Sequence, residues 1–296
     1  MVNKFSILVF LFLISGCALQ DHNPIPSNTS STNTVQVNAT ETIGNNTNQT
    51  TMETVKTILL PADNLAIYIL HTEKKGSYIV NHNNNSMLIN AQGSSDILRL
   101  IKLIHNIGID RLDYFILTNS NEENIEGAPS IILREKPFNL IHSGIPSTSQ
   151  IYLQYNLIYP NSTVMPRDNI MLFGDSTLNF IVPYDDGFPL NIKDDSFLVK
   201  LNYGGFSTLF ATDCEIDCES RIRDANLQST ILVSNGLCNS LSTTFLAQVS
   251  PEIVVFSGKN ICEETLNRVQ SAEINVLKTS DNDIVIVSDG IEYEVI

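Results

Sequence analysis

The residues with chemical potential gather behind short apolar runs. Residues 112 to 127 read LDYFILTNSNEENIEG, in which the β-branched and aromatic run Leu112–Thr118 has strand character and releases a polar turn carrying Asn119, Asn121, Glu123 and Asn124. A strand that delivers a polar loop at its carboxyl end is where α/β proteins build sites. Two further runs end in the same way, the first at Asp213 and the second at Ser234-Asn235-Gly236. Carboxylate and amide oxygens of this kind suit a hard cation such as calcium, with Glu123 and Asp213 supplying the charge. The neutral amide oxygen of asparagine is a poor ligand for zinc, which is held by imidazole, thiolate and carboxylate. A plainer role outweighs cation binding for Asp213, as N-cap of a helix starting near Cys214.

The histidines offer no substitute. His22, His71, His82, His105 and His142 include no i, i+2 or i, i+4 pair. Each reads as a surface or partly packed residue. No Gly-x-Ser-x-Gly elbow or Ser-His-Asp order supplies a hydrolytic mechanism, and Gly204-Gly205 and Gly258-Lys259 are too short to cradle phosphate. Cys214, Cys218, Cys238 and Cys262 all lie in the last third of the chain. An even number in an exported protein points to disulfides, with buried thiols or a four-thiolate zinc site as alternatives and the pairing left open.

The export signal is at the N-terminus. Lys4, the largely apolar run Phe5–Ile14 and then Ser15-Gly16-Cys17 read as a signal peptide, too short to span a bilayer as a stable helix. Residues 18–54 are rich in Asn, Thr, Ser and Gln and bury too little to offset the entropy of ordering, so a flexible tether is expected there. Residues 55–296 are long enough for one sizeable core. The formal net charge of −15 is spread along the chain, with no basic cluster. That disfavours nucleic acid as a partner, since affinity for phosphate backbones comes from neutralising their charge.

Within residues 55–296 the periodicity predicts strands at 57–60, 65–70, 77–80 and 87–90, a helix at 95–106, the strand 112–118, a helix at 128–134 and a strand at 138–141. Residues 144–168 read as loop. The second half gives strands at 170–173, 178–182, 197–201 and 207–211. Helices at 214–225, 243–249 and 263–270 then alternate with strands at 230–233, 253–256 and 275–278, before a closing hairpin at 284–287 and 292–295. Two halves that each run from strands into helices imply an α/β (α+β) four-layer αββα sandwich.

These motifs resemble the metallo-β-lactamase fold, most closely the extracellular hydrolase-like domain of ComEC-type competence proteins. Members carry His-x-His-x-Asp-His after the strand that ends here at Thr118, so the ligand positions fall on Asn119, Asn121, Glu123 and Asn124. The family's His-His-Gly turn aligns with Ser234-Asn235-Gly236, and its later Gly-His pair is replaced where Asn260 runs directly into Ile261-Cys262. Asp213 stands at the bridging carboxylate. Further resemblance lies in Glu73-Lys74-Lys75-Gly76-Ser77, Asn90-Ala91-Gln92-Gly93, Leu201–Phe206 and Ser288-Asp289-Gly290. Separately, Ile14-Ser15-Gly16-Cys17 resembles the lipobox of prokaryotic lipoproteins, which implies lipid attachment at Cys17 and a place on the outer face of a cell-envelope membrane.

The resemblance therefore implies a metallohydrolase fold that has lost its histidine ligands: a lipid-anchored, non-catalytic binding or structural module without a cofactor. Two other readings are a divalent-metal hydrolase, nuclease or phosphodiesterase, using Glu123 and Asp213, and an accessory of DNA uptake. If the loops converge as in the family, disulfides would staple what a metal pair holds together in active relatives.

Overall fold

The computed structural model describes residues 33–39, 54–60, 63–72, 75–91, 93, 95–165, 169–184, 196–223, 225–280 and 282–296. The expected signal peptide, residues 1–17 with Cys17, lies outside them, as does His22. Among the described residues no helix is long and apolar enough to cross a membrane. β1 (Asn33–Ala39) and β2 (Thr54–Leu60) form an antiparallel pair. β1 falls inside the stretch expected to be tether: its NTVQVNA alternation has the two-residue period of a strand, and β2 gives it a partner.

The first half runs β3 (Leu65–Ile69), β4 (Tyr78–His82), β5 (Asn85–Ile89), α1 (Ile97–Asn106), β6 (Tyr114–Leu117), α2 (Glu122–Ile125), α3 (Ala128–Glu135), β7 (Asn139–His142), α4 (Gln150–Ile158) and β8 (Thr163–Val164). The second half runs β9 (Asn169–Phe173), β10 (Ser176–Ile181), β11 (Leu198–Tyr203), β12 (Phe206–Phe210), α5 (Ile216–Ser220), β13 (Ile231–Ser234), α6 (Thr243–Val249), β14 (Ile253–Phe256), α7 (Glu263–Ser271), β15 (Asn275–Lys278), β16 (Ile284–Ser288) and β17 (Tyr293–Val295). One eight-stranded sheet has the order β17-β16-β3-β4-β5-β6-β7-β8, and one seven-stranded sheet the order β15-β14-β13-β12-β11-β10-β9.

The side-chain alternation of β3 explains the layering. Leu65, Ile67 and Ile69 join the core between the sheets, packed with Phe180, Phe197 and Val199 from the other sheet. Ala66, Tyr68 and Leu70 face the opposite way, into a second core under α1 and α3. All of β3 is buried because both faces are covered, which is why it reads as an unbroken apolar run. A third core under α5, α6 and α7 closes the seven-stranded sheet with Leu209, Leu232, Phe245, Val254 and Val269. The four layers are therefore helix, sheet, sheet, helix, as the pattern of the two halves implies.

Three local expectations are corrected. Residues 144–168 are not loop throughout, since α4 and β8 lie there; α4 is apolar on most sides and buries only Tyr155 fully, so it lacks the one-sided stripe that marks a surface helix. The helix expected at 214–225 is only α5, whose last turn gives way at Arg221. Asp213 does not cap it: Glu215 is the N-cap residue, with no side-chain capping hydrogen bond, and the Asp213 carboxylate is engaged elsewhere.

Candidate functional site

The site lies at the carboxyl ends of parallel strands. β5, β6 and β7 run parallel in one sheet and β12, β13, β14 and β15 in the other, so the loops after β6, β12, β13 and β14 share one rim. Asn119 follows β6, Asp213 follows β12, Asn235 follows β13 and Ser257 follows β14. Local bonds fix the first loop: Asn90, in left-handed conformation at φ 56°, accepts from the Thr118 backbone at 3.0 Å. Ala91 then donates to the Asn124 carbonyl at 3.1 Å and accepts from Gly127 at 2.8 Å, which sets the position of α2.

Asp213 is the centre of the arrangement. Only 1 % exposed, it receives two donors on each oxygen. Oδ1 accepts from Lys75 Nζ at 3.0 Å and from Asn235 Nδ2 at 2.7 Å. Oδ2 accepts from Asn119 Nδ2 at 3.1 Å and from Asn124 Nδ2. The Lys75 ammonium also pairs with Glu123 Oε2 at 3.2 Å, and the Glu123 side chain is half exposed at the mouth. Burial by itself would push the Asp213 carboxyl up, but Lys75 and the three amides outweigh it and hold the group below its usual range. The Lys75 amine behaves in the mirror sense: burial would lower it, and Asp213 with Glu123 outweighs that and raises it.

The amides are locked the donor way round. Asn235 Oδ1 accepts from the Gly76 backbone at 3.2 Å, from the Tyr78 hydroxyl at 2.9 Å and from Ser257 Oγ at 2.8 Å. Asn119 Oδ1 accepts from the Asn121 backbone at 3.0 Å and from Asn124 Nδ2 at 2.7 Å. A backbone N–H can only donate, so these bonds decide the amide orientation and leave Nδ2 facing Asp213.

Four of the sequence-selected positions, Asn119, Asn124, Asn235 and Asp213, thus form one buried cluster, and Glu123 reaches it through Lys75. Asn121 contributes through its backbone, its N–H donating to Asn119 Oδ1 and its carbonyl accepting from Asn124 N at 2.9 Å, and its side chain is not among the donors to Asp213. Lys75, Tyr78 and Ser257 were not selected. The available signal was Gly76: a Cβ there would overlap the Ser257 and Tyr78 hydroxyls, so only glycine lets the Lys75 turn approach the rim so closely. His82 and His142 are buried more deeply than the surface or partly packed reading expected, and they lie away from the Asp213 cluster: Ser176 Oγ lies 2.7 Å from His82 Nδ1 and Ser162 Oγ 3.1 Å from His142 Nε2.

The cysteines form two disulfides, Cys214–Cys218 and Cys238–Cys262. Only the second joins two rim loops, those after β13 and β14. There the Cys262 backbone also donates to the Gly236 carbonyl at 2.9 Å, next to Asn235.

Among solved structures the chain is similar to the metallo-β-lactamase fold protein YhfI from Bacillus subtilis, with a TM-score of 0.53 and 12% identity over 76% of this chain and 100% of that one. The chain has the metallo-β-lactamase fold. It is also similar to CmlA, a diiron beta-hydroxylase from Streptomyces venezuelae, with a TM-score of 0.50 and 10% identity over 77% of this chain and 55% of that one. No protein-family model and no curated protein matches the chain.

A metal of the kind the fold implies does not fit these residues. The roughly four lone-pair directions of a carboxylate are all taken on Asp213. The asparagines turn N–H groups toward it where a cation needs oxygen. Among the described residues no group of three or more His, Cys, Asp or Glu side chains could hold a metal ion. The polarity of the site is inverted, with donors around an anion in place of acceptors around a cation.

Proposed function

We propose that the chain is a non-catalytic metallo-β-lactamase-fold module, exported, anchored through lipid on Cys17 to the outer face of a cell-envelope membrane, and acting by binding or as a structural part. One observation carries the non-catalytic reading: the Lys75 ammonium stands between Asp213 and Glu123, the two carboxylates a metal would need. Lowering the pKa of a bound water to make a nucleophile requires an open metal position with fixed ligands. A lysine held in its charged form by two carboxylates is itself neither base nor nucleophile at neutral pH. The lipid-anchor reading is supported by the Ile14-Ser15-Gly16-Cys17 sequence alone.

Metal analysis of the purified full chain, followed by hydrolysis assays on nucleic acid and phosphodiesters with added zinc, manganese or calcium, tests the catalytic half. Substoichiometric metal and no metal-dependent turnover are expected. Retention of one equivalent together with turnover abolished by Asp213→Asn would sink it and favour the metal-dependent hydrolase. Metabolic labelling with a radioactive fatty acid tests the anchor: label should enter the wild-type chain and not the Cys17→Ser variant, and equal labelling of both would refute it.

A further inference from the structure

We propose that Lys75 is a tethered cation doing the structural work of a bound metal, its ammonium joining the β3–β4 turn and α2 of one sheet to the Asp213 strand end of the other. The inference rests on the non-catalytic reading of the site and adds to it what the site now does. A lysine loses more solvation and more rotamer freedom on burial than almost any other residue, so a lysine with a side chain only 11 % exposed requires a compensating environment. Asp213 at 3.0 Å and Glu123 at 3.2 Å provide it, and the two carboxylates come from different layers of the molecule.

The approach is built as a metal loop is built. Thr72 Oγ1 donates to the Lys75 carbonyl and fixes the turn from one side. Gly76 fixes it from the other, donating to Asn235 and leaving room for Ser257 where no side chain would fit. The three asparagine amides complete the cage around Asp213, so each oxygen of its carboxylate has two donors and the elements that bear them are held in register. A dissociable divalent ion could not replace this arrangement without turning several locked amides. The ammonium is held in place by its own chain, so the lock is assembled on folding and does not respond to the supply of metal.

The test is chemical rescue on the full chain. Lys75→Gly removes the butylammonium arm and should lower the urea midpoint. Adding n-butylammonium chloride should raise that midpoint in the variant, with no gain in wild type beyond that of matched sodium chloride, while calcium, manganese or zinc gives no comparable gain. A variant as stable as wild type would overturn the inference, and so would rescue by a stoichiometric divalent ion and not by the amine. Should Lys75→Gly fail to fold, a cycle of Lys75→Met, Asp213→Asn and the double variant reads the same bond. The double variant should be at least about tenfold better folded than the sum of the single losses implies, because breaking one side of a buried pair leaves the other uncompensated. Additive losses would refute it. Failure here leaves the non-catalytic reading standing, since that reading falls only if the wild-type chain binds metal and turns over substrate.

Discussion

Two cation–carboxylate pairs show how position decides the worth of the same chemistry. Arg99 grips Asp283 through Nη2, at 2.5 Å to Oδ1, and its Nη1 donates to the His71 carbonyl at 2.6 Å, while the side chains remain 44 % and 26 % exposed. Lys75 and Asp213 are a less ideal pair by geometry, a single contact at 3.0 Å, yet their side chains are 11 % and 1 % exposed and three amides close the shell. Water can take over from either partner of the first pair when the other is removed. It cannot reach Asp213. The first pair is a surface clamp whose loss is screened, and the second is a lock whose halves depend on each other.

The sharpest break is at Asp213. Asp213→Ala leaves three amide N–H groups and an ammonium facing an apolar methyl, and should cost about 4 kcal/mol of unfolding free energy by urea titration. A loss no greater than that of Arg99→Ala would erase the contrast between the two pairs.

The pH dependence sharpens the contrast without a cavity. Because Asp213 is depressed, its contribution is full above the ordinary carboxylate range and is lost as pH falls through its lower folded value. Because Lys75 is raised, its contribution is full below the ordinary lysine range and is lost as pH rises through its higher folded value. The stability difference between wild type and the Lys75→Met/Asp213→Asn double variant should therefore be flat through neutral pH and change only in acid and in alkali. A slope between pH 6 and 8 would contradict the assignment.

The disulfides rank next, by loop length. Cys238–Cys262 spans 24 residues of sequence and Cys214–Cys218 spans 4, so chain entropy assigns them about 3 and about 2 kcal/mol. Replacing both cysteines of a pair by serine and comparing urea midpoints checks the order. The longer one holds the loop of Asn235, so its removal should also loosen the Asp213 cage, seen as faster hydrogen exchange at Gly236. The smallest effect belongs to the surface pair: Arg99→Ala should cost under about 1 kcal/mol and less in high salt.

The central strands were legible because, like β3 and β13, they are buried on both faces and read as apolar runs. Ile253–Phe256 and α6 appear in sequence with the bounds they have in the structure, where Ser242 caps α6 by accepting from Phe245 N at 3.2 Å. α4 was not legible. Its Ser149 cap accepts from Tyr152 N at 3.1 Å in the ordinary way, but an apolar surface on most sides hides the helical period. Asn119, Asn124, Asp213 and Asn235 follow predicted strands, and the resemblance to the metallo-β-lactamase fold marked them as ligand positions. Lys75 carried no such mark, since one lysine in a polar turn reads as solvated, and only the fold brings Asp213 to it across 138 residues. The resemblance marked the positions around Asp213, and the lysine that pairs with that carboxylate was not visible in the sequence.

The most direct measurement is diffraction from crystals of the full chain soaked in a manganese or zinc salt, with anomalous maps collected at the metal edge. Lys75 Nζ should appear between Asp213 and Glu123 with no anomalous peak beside it. An anomalous peak bound by Asp213, with Lys75 swung into solvent and the asparagine amides turned to present oxygen, would contradict the inverted site and return the molecule to the metal-dependent hydrolases.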